Sequence, residues 1–103
     1  MTFMSLLVEQ HDTEASAREA HVTAREYAVC GSLDAWSWTA SVSSFAATHG
    51  LPIDYVDNCW LRVAMDSTLL RLFLHSGPAS DQVTRLLDRV DDRKWYVVNE
   101  EEF

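Results

Sequence analysis

The sequence predicts an α+β fold, a mostly antiparallel sheet with helices packed on one of its faces. Three observations indicate this class: two apolar runs within residues 59–75, apolar residues at helical spacing within 80–93, and a β-branched and aromatic run over 94–98. In chain order they correspond to a hairpin, a helix and a strand. The other predicted elements are placed around this C-terminal unit.

The hairpin is predicted from the two apolar runs and from the residues between them. Asp66 and Ser67 separate the runs, and both residue types are common in turns. We therefore expect strands over 59–65 and 69–75. The second is almost continuously apolar, which is typical of a strand covered on both faces. Leu72 is expected in the core.

The predicted helix follows Gly77 and Pro78, which end the second apolar run. Its apolar positions recur at the spacing of one helical face: Val83, Leu86, Leu87 and Val90. Leu87 is expected in the core, opposite a solvated face on which acidic and basic residues alternate. Residues 94–98 then form the last strand.

The N-terminal half is predicted from composition and capping residues. An alanine-, glutamate- and arginine-rich stretch favours a helix over 13–24, with Asp12 or Thr13 as its N-cap. Residues 5–10 fit either a strand or the start of a helix, and residues 27–30 fit a strand.

Residues 33–49 carry two conflicting patterns. Apolar and polar residues alternate over 36–43, which favours a strand, and the many serines and threonines disfavour a helix interior. The same stretch also presents a helical apolar face that Gly50 would end. We expect a strand up to about Val42, followed by a short helix over 45–49. A single helix is the alternative.

A chain of 103 residues is expected to form one domain over 1–103, with flexible ends at 1–10 and 100–103. Its size allows a core that needs neither a disulfide nor a metal. Cys30 and Cys59 lack the close spacing of redox or zinc motifs, and we expect both to be reduced, buried thiols.

The net charge of −8 is the strongest compositional signal. No lysine or arginine occurs between Arg25 and Arg62, and the acidic residues of this interval are Glu26, Asp34, Asp54 and Asp57. Nucleic acids and anionic membranes attract proteins through lysine and arginine, so we expect neither as a direct partner. A basic protein surface is the expected partner.

The first ten residues, MTFMSLLVEQ, contain a short apolar run without a preceding basic residue. No small-residue cleavage pattern follows, and the run is too short to span a bilayer. We therefore expect neither a signal peptide nor a membrane anchor here, and a cytoplasmic location.

No catalytic or metal motif is predicted. The four histidines lack the spacing of helical metal ligands, and His11 and His21 are interpreted as solvated residues near a helix start. We expect no enzymatic activity, cofactor or metal. The alternative is a small enzyme or ligand-binding domain that uses His49, His75 or Cys59 in a cleft.

The acidic stretch GLPIDYVDN, interpreted as an accessible loop, is the expected contact surface. Its Tyr55 lies between aspartates, and aromatic residues often anchor binding interfaces. The predicted partner-binding residues are Glu26, Asp34, Asp54, Tyr55 and Asp57. The acidic tail over 100–103 is interpreted as solvated.

These observations favour a small protein-interaction module. We expect an inhibitor or regulatory partner that covers a basic surface of a larger protein, such as one that holds nucleic acid. Immunity proteins, antitoxins and phage anti-defence proteins that mimic nucleic acid share this use of negative charge, which is a likeness of charge and not of sequence. An oligomeric assembly subunit, for example a homodimer, is a further alternative.

Overall fold

The computed structural model of the protein describes residues 4–23, 29–34, 42–57, 60–77 and 80–102. The strands are β1 (Met4–His11), β2 (Val29–Asp34), β3 (Asp54–Asp57), β4 (Trp60–Asp66) and β5 (Trp95–Glu102). The helices are α1 (Glu14–Thr23), α2 (Val42–His49), α3 (Ser67–Ser76) and α4 (Asp81–Arg89). All strand pairs are antiparallel, in the order β2-β1-β5-β4-β3, which confirms the predicted α+β class.

The strand β5 lies in the middle of the sheet, between β1 and β4. Val98 faces Val8 on one side and Val63 on the other, so this row of side chains projects from one face. The adjacent row projects from the opposite face: Glu9, Val97 and Ala64. The two faces therefore carry different residues and pack against different helices.

Helices cover both faces of the sheet. The larger core combines one face with α2, α3 and α4. Its strand residues are Leu6, Val8, Val63, Met65, Tyr96 and Val98. The helix α1 packs on the opposite face, where Ala17 contacts Val97 beside Ala64 and Trp95. The expectation that helices share one face therefore holds for α2, α3 and α4, whereas α1 departs from it.

The predicted second strand of the hairpin is wrong, because Ser67–Ser76 forms the helix α3. Asp66 caps this helix, and its carboxylate accepts a hydrogen bond from the Leu69 amide at 2.8 Å. Aspartate and serine favour helix starts as well as turns, so this pair of residues does not distinguish the two. The buried residues follow helical spacing: Leu70, Phe73 and Leu74. Leu72, an expected core residue, is 49% exposed, so that expectation is also wrong.

The helix and the strand that follow lie where the sequence predicts them. Ser80 caps α4, and its hydroxyl accepts a hydrogen bond from the Val83 amide at 3.2 Å. Leu87 is partly buried against the core, as expected. The strand β5 begins at Trp95 and continues to Glu102, four residues beyond the predicted range of 94–98.

In the N-terminal half, the strand alternative for residues 5–10 is correct, because they belong to β1. The helix predicted over 13–24 is α1, and Thr13 caps it by accepting a hydrogen bond from the Ser16 amide at 3.1 Å. Of the strand predicted over 27–30, the last two residues lie in β2, and 27–28 lie outside the described residues.

The short helix predicted over 45–49 is α2, which begins three residues earlier, at Val42. It ends at His49, and the next residue, Gly50, has a φ of +67°, a conformation that glycine adopts without steric cost. The Leu51 amide donates to the Ala46 carbonyl at 2.8 Å, which closes the helix end. Of the strand predicted over 36–42, residues 36–41 lie outside the described part of the chain, and Val42 belongs to α2 instead.

The described parts of the two segments that were expected to be flexible, 4–10 and 100–102, contribute to the sheet. Met4 faces Glu102 and His11 faces Trp95, so β1 and β5 pair along their whole length. Glu100 is buried, and its Oε1 accepts a hydrogen bond from the Val42 amide at 3.3 Å. The carboxylate thus meets the positive N-terminal end of α2, and at this position the tail is not solvated.

Candidate functional site

A cluster of polar side chains lies inside the protein, on the sheet face that α1 covers. Arg62, in the middle of β4, is only 1% exposed. Its Nη2 donates to Oε2 of Glu9 at 2.6 Å, and both side chains are buried. Because β5 lies between the strands of these two residues, the ion pair spans the central strand.

Asn99 of β5 connects the ion pair to the sheet. Its Nδ2 donates to Oε1 of Glu9 and to the carbonyl of Leu7, both at 3.2 Å. Its Oδ1 accepts a hydrogen bond from Nε1 of Trp60 at 3.3 Å. The Arg62 guanidinium lies 5.8 Å from the centre of the Trp60 ring, within the range of a cation–π contact.

His11 extends the cluster toward α1. It is 2% exposed, so its interpretation as a solvated residue is wrong. Its Nδ1 lies 2.9 Å from the Ser16 hydroxyl, and its Nε2 lies 3.6 Å from Oε2 of Glu9. A serine, a histidine and a carboxylate are thus adjacent. However, the second distance is too long for the hydrogen bond that an acid–histidine–serine triad requires, and Arg62 and Asn99 engage the carboxylate.

Burial shifts the ionisation of the three titratable members of the cluster. It raises the pKa of Glu9, although the positive charge of Arg62 and the Asn99 hydrogen bond oppose this. It lowers the pKa of Arg62, against the effect of Glu9 and Asp54. It also lowers the pKa of His11, and the Arg62 charge acts in the same direction. The His11 ring is therefore neutral at pH 7.

The buried cluster links several elements of the fold. Its contacts connect β1 with β4, β1 with β5 and β1 with α1, and the side chains of Glu9, His11 and Arg62 have almost no exposed surface. Buried polar networks of this kind favour one strand register over its alternatives. The cluster joins β1, β5 and β4 through their side chains in the register that the strands adopt.

The exposed candidate is β3, at one edge of the sheet. Residues 54–57, interpreted as loop, form a strand whose Tyr55 is 69% exposed and whose Val56 is 41% exposed. The Asp54 side chain is also exposed, as predicted for a contact residue. Asp54 faces Arg62 in the β3–β4 register, so Arg62 lies between a buried and an exposed carboxylate.

The structure distributes the predicted partner-binding residues over both edges of the sheet. Asp57 ends β3, whereas Asp34 ends β2 at the opposite edge, four strand spacings or roughly 19 Å away. Both backbone positions nevertheless lie in one row across the sheet: Asp34, Ser5, Glu101, Trp60 and Asp57. Glu26 lies outside the described residues.

The histidines of the alternative enzyme prediction lie at helix ends. His49 and His75 are exposed, in the last turns of α2 and α3. The His49 ring packs on Phe45 with 4.3 Å between ring centres. Cys59 lies outside the described residues. Within the described ranges, no group of three or more histidine, cysteine, aspartate or glutamate side chains is arranged to hold a metal ion.

An open depression of about 620 Å³ lies beyond the C-terminal end of α4. Its lining residues are Arg71, Asp88, Arg89, Val90, Asp91, Asp92 and Arg93. Arg71 pairs with Asp92, and Arg93 pairs with Asp91 at 3.2 Å. Because acidic and basic residues are equal in number and largely paired, the depression offers no net charge to a ligand.

Comparisons with protein-family models, with curated proteins and with solved structures gave no match. In the part of the chain that the structure describes, no helix is both long and apolar enough to cross a membrane.

The sequence contained a signal for the buried cluster that its interpretation missed. Glu9 and His11 are two positions apart in a strand, so they project from the same face. Arg62 interrupts an apolar run in β4. A charged residue inside such a run can be a buried partner of another charge, but the sequence does not identify the partner.

Proposed function

We propose that the protein is an acidic interaction module, a cytoplasmic inhibitor or regulatory partner that covers a basic surface of a larger protein. A nucleic-acid-binding surface is the preferred kind of target, because it presents lysine and arginine to phosphate. The observation that carries the proposal is the exposure of Tyr55 beside acidic residues at a sheet edge, in a protein of net charge −8.

The arrangement of the basic residues supports an acidic rather than a mixed surface. At least five of the eight lysine and arginine residues pair with carboxylates of the same chain: Arg18, Arg62, Arg71, Arg93 and Lys94. Each paired cation is partly neutralised where it lies. The remaining acidic residues outnumber the remaining basic ones, and their field attracts a basic protein and repels phosphate.

Tyr55 and Asp54 supply the two properties that an interface of this type needs. The aspartate contributes to the negative field, which raises the rate of encounter with a basic partner. The tyrosine has a large exposed side chain that gains contact area on binding, and few rotamers are lost in the process. Together they favour rapid association followed by slow dissociation.

The test is capture of partners by the tagged protein in lysate of its native host at low and high salt, with identification by mass spectrometry. Binding is then measured on the purified partner. We expect a basic protein whose association slows as salt rises. The variant Asp54→Lys/Asp57→Lys should slow association and flatten its salt dependence. Its free energy of unfolding is measured alongside, because Asp54 faces Arg62 in the β3–β4 register.

The matched control reverses two exposed acidic residues on helices, Glu19→Lys and Asp88→Lys, and changes the net charge equally. It should alter association less than the β3 variant does. Equal effects of the two variants, or an unchanged salt dependence in the β3 variant, would contradict an interface at this edge. Capture of nucleic acid instead of a basic protein would overturn the proposed function.

A further inference from the structure

We infer that β3 binds its partner by strand addition: an extended basic segment of the partner pairs with the edge of β3 that faces away from β4 and lengthens the sheet. This inference rests on the proposed function, because it takes the basic partner from it and adds the form in which the partner binds. The segment is a short extended peptide, not a helix or a folded basic face.

The first support is the position of β3 in the sheet. Of the described strands, only β4 pairs with β3, which is the last in the order β2-β1-β5-β4-β3. An edge strand has backbone N–H and C=O groups that point away from the sheet and can pair with another chain. Peptide recognition by strand addition uses these groups for affinity and the neighbouring side chains for specificity.

The second support is side-chain exposure along the same strand. The large hydrophobic residues that are most exposed in the described part of the chain include Tyr55 at 69% and Val56 at 41%. They are adjacent in β3, so both flank the edge that faces away from β4. A paired segment would cover part of each side chain, and this apolar area adds to the backbone hydrogen bonds.

The charge of β3 indicates which kind of chain pairs with its edge. Asp54 and Asp57 are the two ends of β3. A second copy of the protein paired edge to edge would bring aspartates close to aspartates, and like charges on neighbouring strands are destabilising. A lysine- or arginine-bearing segment replaces this repulsion with attraction. The charge of β3 therefore disfavours pairing with a second copy and favours pairing with a basic strand.

The geometry of β3 also limits the length of the added segment. The strand has four residues, and its register with β4 shifts between Tyr55 and Asp57. Such a bulge bends the strand and disrupts regular pairing beyond it. We therefore expect contacts with only a few partner residues, so the probe can be a short synthetic peptide.

The test uses an eight-residue peptide of alternating lysine and valine with blocked ends. Two versions carry backbone N-methyl groups, one on every lysine and the other on every valine. Alternate N–H groups of a strand point to opposite edges, so each version blocks one edge at equal charge and composition. We expect one version to bind the intact protein about tenfold more weakly than the unmethylated peptide, and the other to bind nearly as well.

Amide exchange locates the binding. With the unmethylated peptide, amides of residues 54–57 should become protected, whereas those of β2 at the opposite edge should not change. Binding of both methylated versions as tightly as the unmethylated peptide, with no protection of residues 54–57, would overturn strand addition, since charge alone would then explain the affinity. Absence of peptide binding, or protection away from β3, would also overturn it.

A failure of strand addition can be distinguished from a failure of the proposed function. If a basic partner requires Asp54 and Asp57 but backbone methylation does not affect peptide binding, the proposed function is supported and strand addition is contradicted. If the peptide binds through one edge but no basic partner is found in the host, strand addition is supported and the proposed function is contradicted.

Discussion

The Nη2 of Arg62 lies 2.6 Å from Oε2 of Glu9, although the two residues are 53 positions apart and belong to strands that do not pair. Their side chains meet across β5, beside Asn99. Removing two charges from water is costly, and mutual attraction offsets that cost only when both partners are present. The pair therefore makes correct placement of β1 and β4 mutually dependent.

This dependence can be measured with Arg62→Met, Glu9→Met and the double variant. Each single replacement should lower the free energy of unfolding by about 3–5 kcal/mol, because it leaves a buried charge without its partner. The double replacement should lower the free energy of unfolding by clearly less than the sum of the two single effects. Urea unfolding gives all three values, and additivity within about 0.5 kcal/mol would contradict the coupling.

His11 should make the protein less stable in mild acid. Its pKa is lowered from the ordinary 6.5 by burial and by the Arg62 charge, so the unfolded chain takes up a proton before the folded protein does. Stability should therefore fall as the pH falls through and below about 6.5. The measurement is the urea midpoint across pH 5–7.5 for the protein and for His11→Asn.

The difference between these two curves isolates the histidine. The raised pKa of Glu9 has the opposite sign: its contribution is fully present below 4.5 and is lost as the pH rises through the folded value. Since Glu9 is present in both proteins, its effect largely cancels. The stability advantage of the native protein over His11→Asn should shrink toward pH 5, and a constant difference would contradict a neutral buried ring.

The helix α3 gives a matched pair of leucines. Leu70 is fully buried, so Leu70→Ala should cost about 2–5 kcal/mol through lost contacts and the cavity left behind. Leu72 is half exposed, and Leu72→Ala should cost less than about 1 kcal/mol. Thermal or urea unfolding of both variants decides the point. A larger cost at Leu72 would support the strand predicted for 69–75 over the helix.

Tyr55 should affect the lifetime of a complex rather than its formation. Tyr55→Ala removes an exposed side chain, so the stability of the free protein should change by less than about 0.5 kcal/mol. Dissociation from the captured partner should accelerate, with association nearly unchanged, because anchors act mainly on the off-rate. Surface plasmon resonance measures both rates. An unchanged off-rate would exclude Tyr55 as an anchor.

The parts of the fold that the sequence predicts are those in which local pattern and tertiary structure agree. The spacing of Val83 and Leu86 fits a helix and not a strand, and both residues lie in α4. The run over 69–74 is apolar at nearly every position, so helical and strand periodicity both fit. Its correct interpretation depends on Asp66 acting as a cap, which only the structure shows.

The two candidate sites, β3 and the buried polar cluster, also differ in how far the sequence predicts them. The exposure of Asp54 and Tyr55 was predictable, because acidic residues surround an isolated aromatic one. The burial of His11 was not, since it depends on the packing of α1 and on the pairing of β1 with β5, more than 80 residues away. Long-range pairing is not encoded in any single stretch of residues.

The central position of β5 has a consequence for synthesis of the protein. β1 pairs with β5 from Met4 with Glu102 to His11 with Trp95, at separations that span most of the chain. Until residues 95–102 have left the ribosome, β1 and β4 have no strand between them to pair with. We therefore expect the sheet to close only after β5 has been synthesised, with Leu6, Val8 and Val63 unburied in the nascent chain until then.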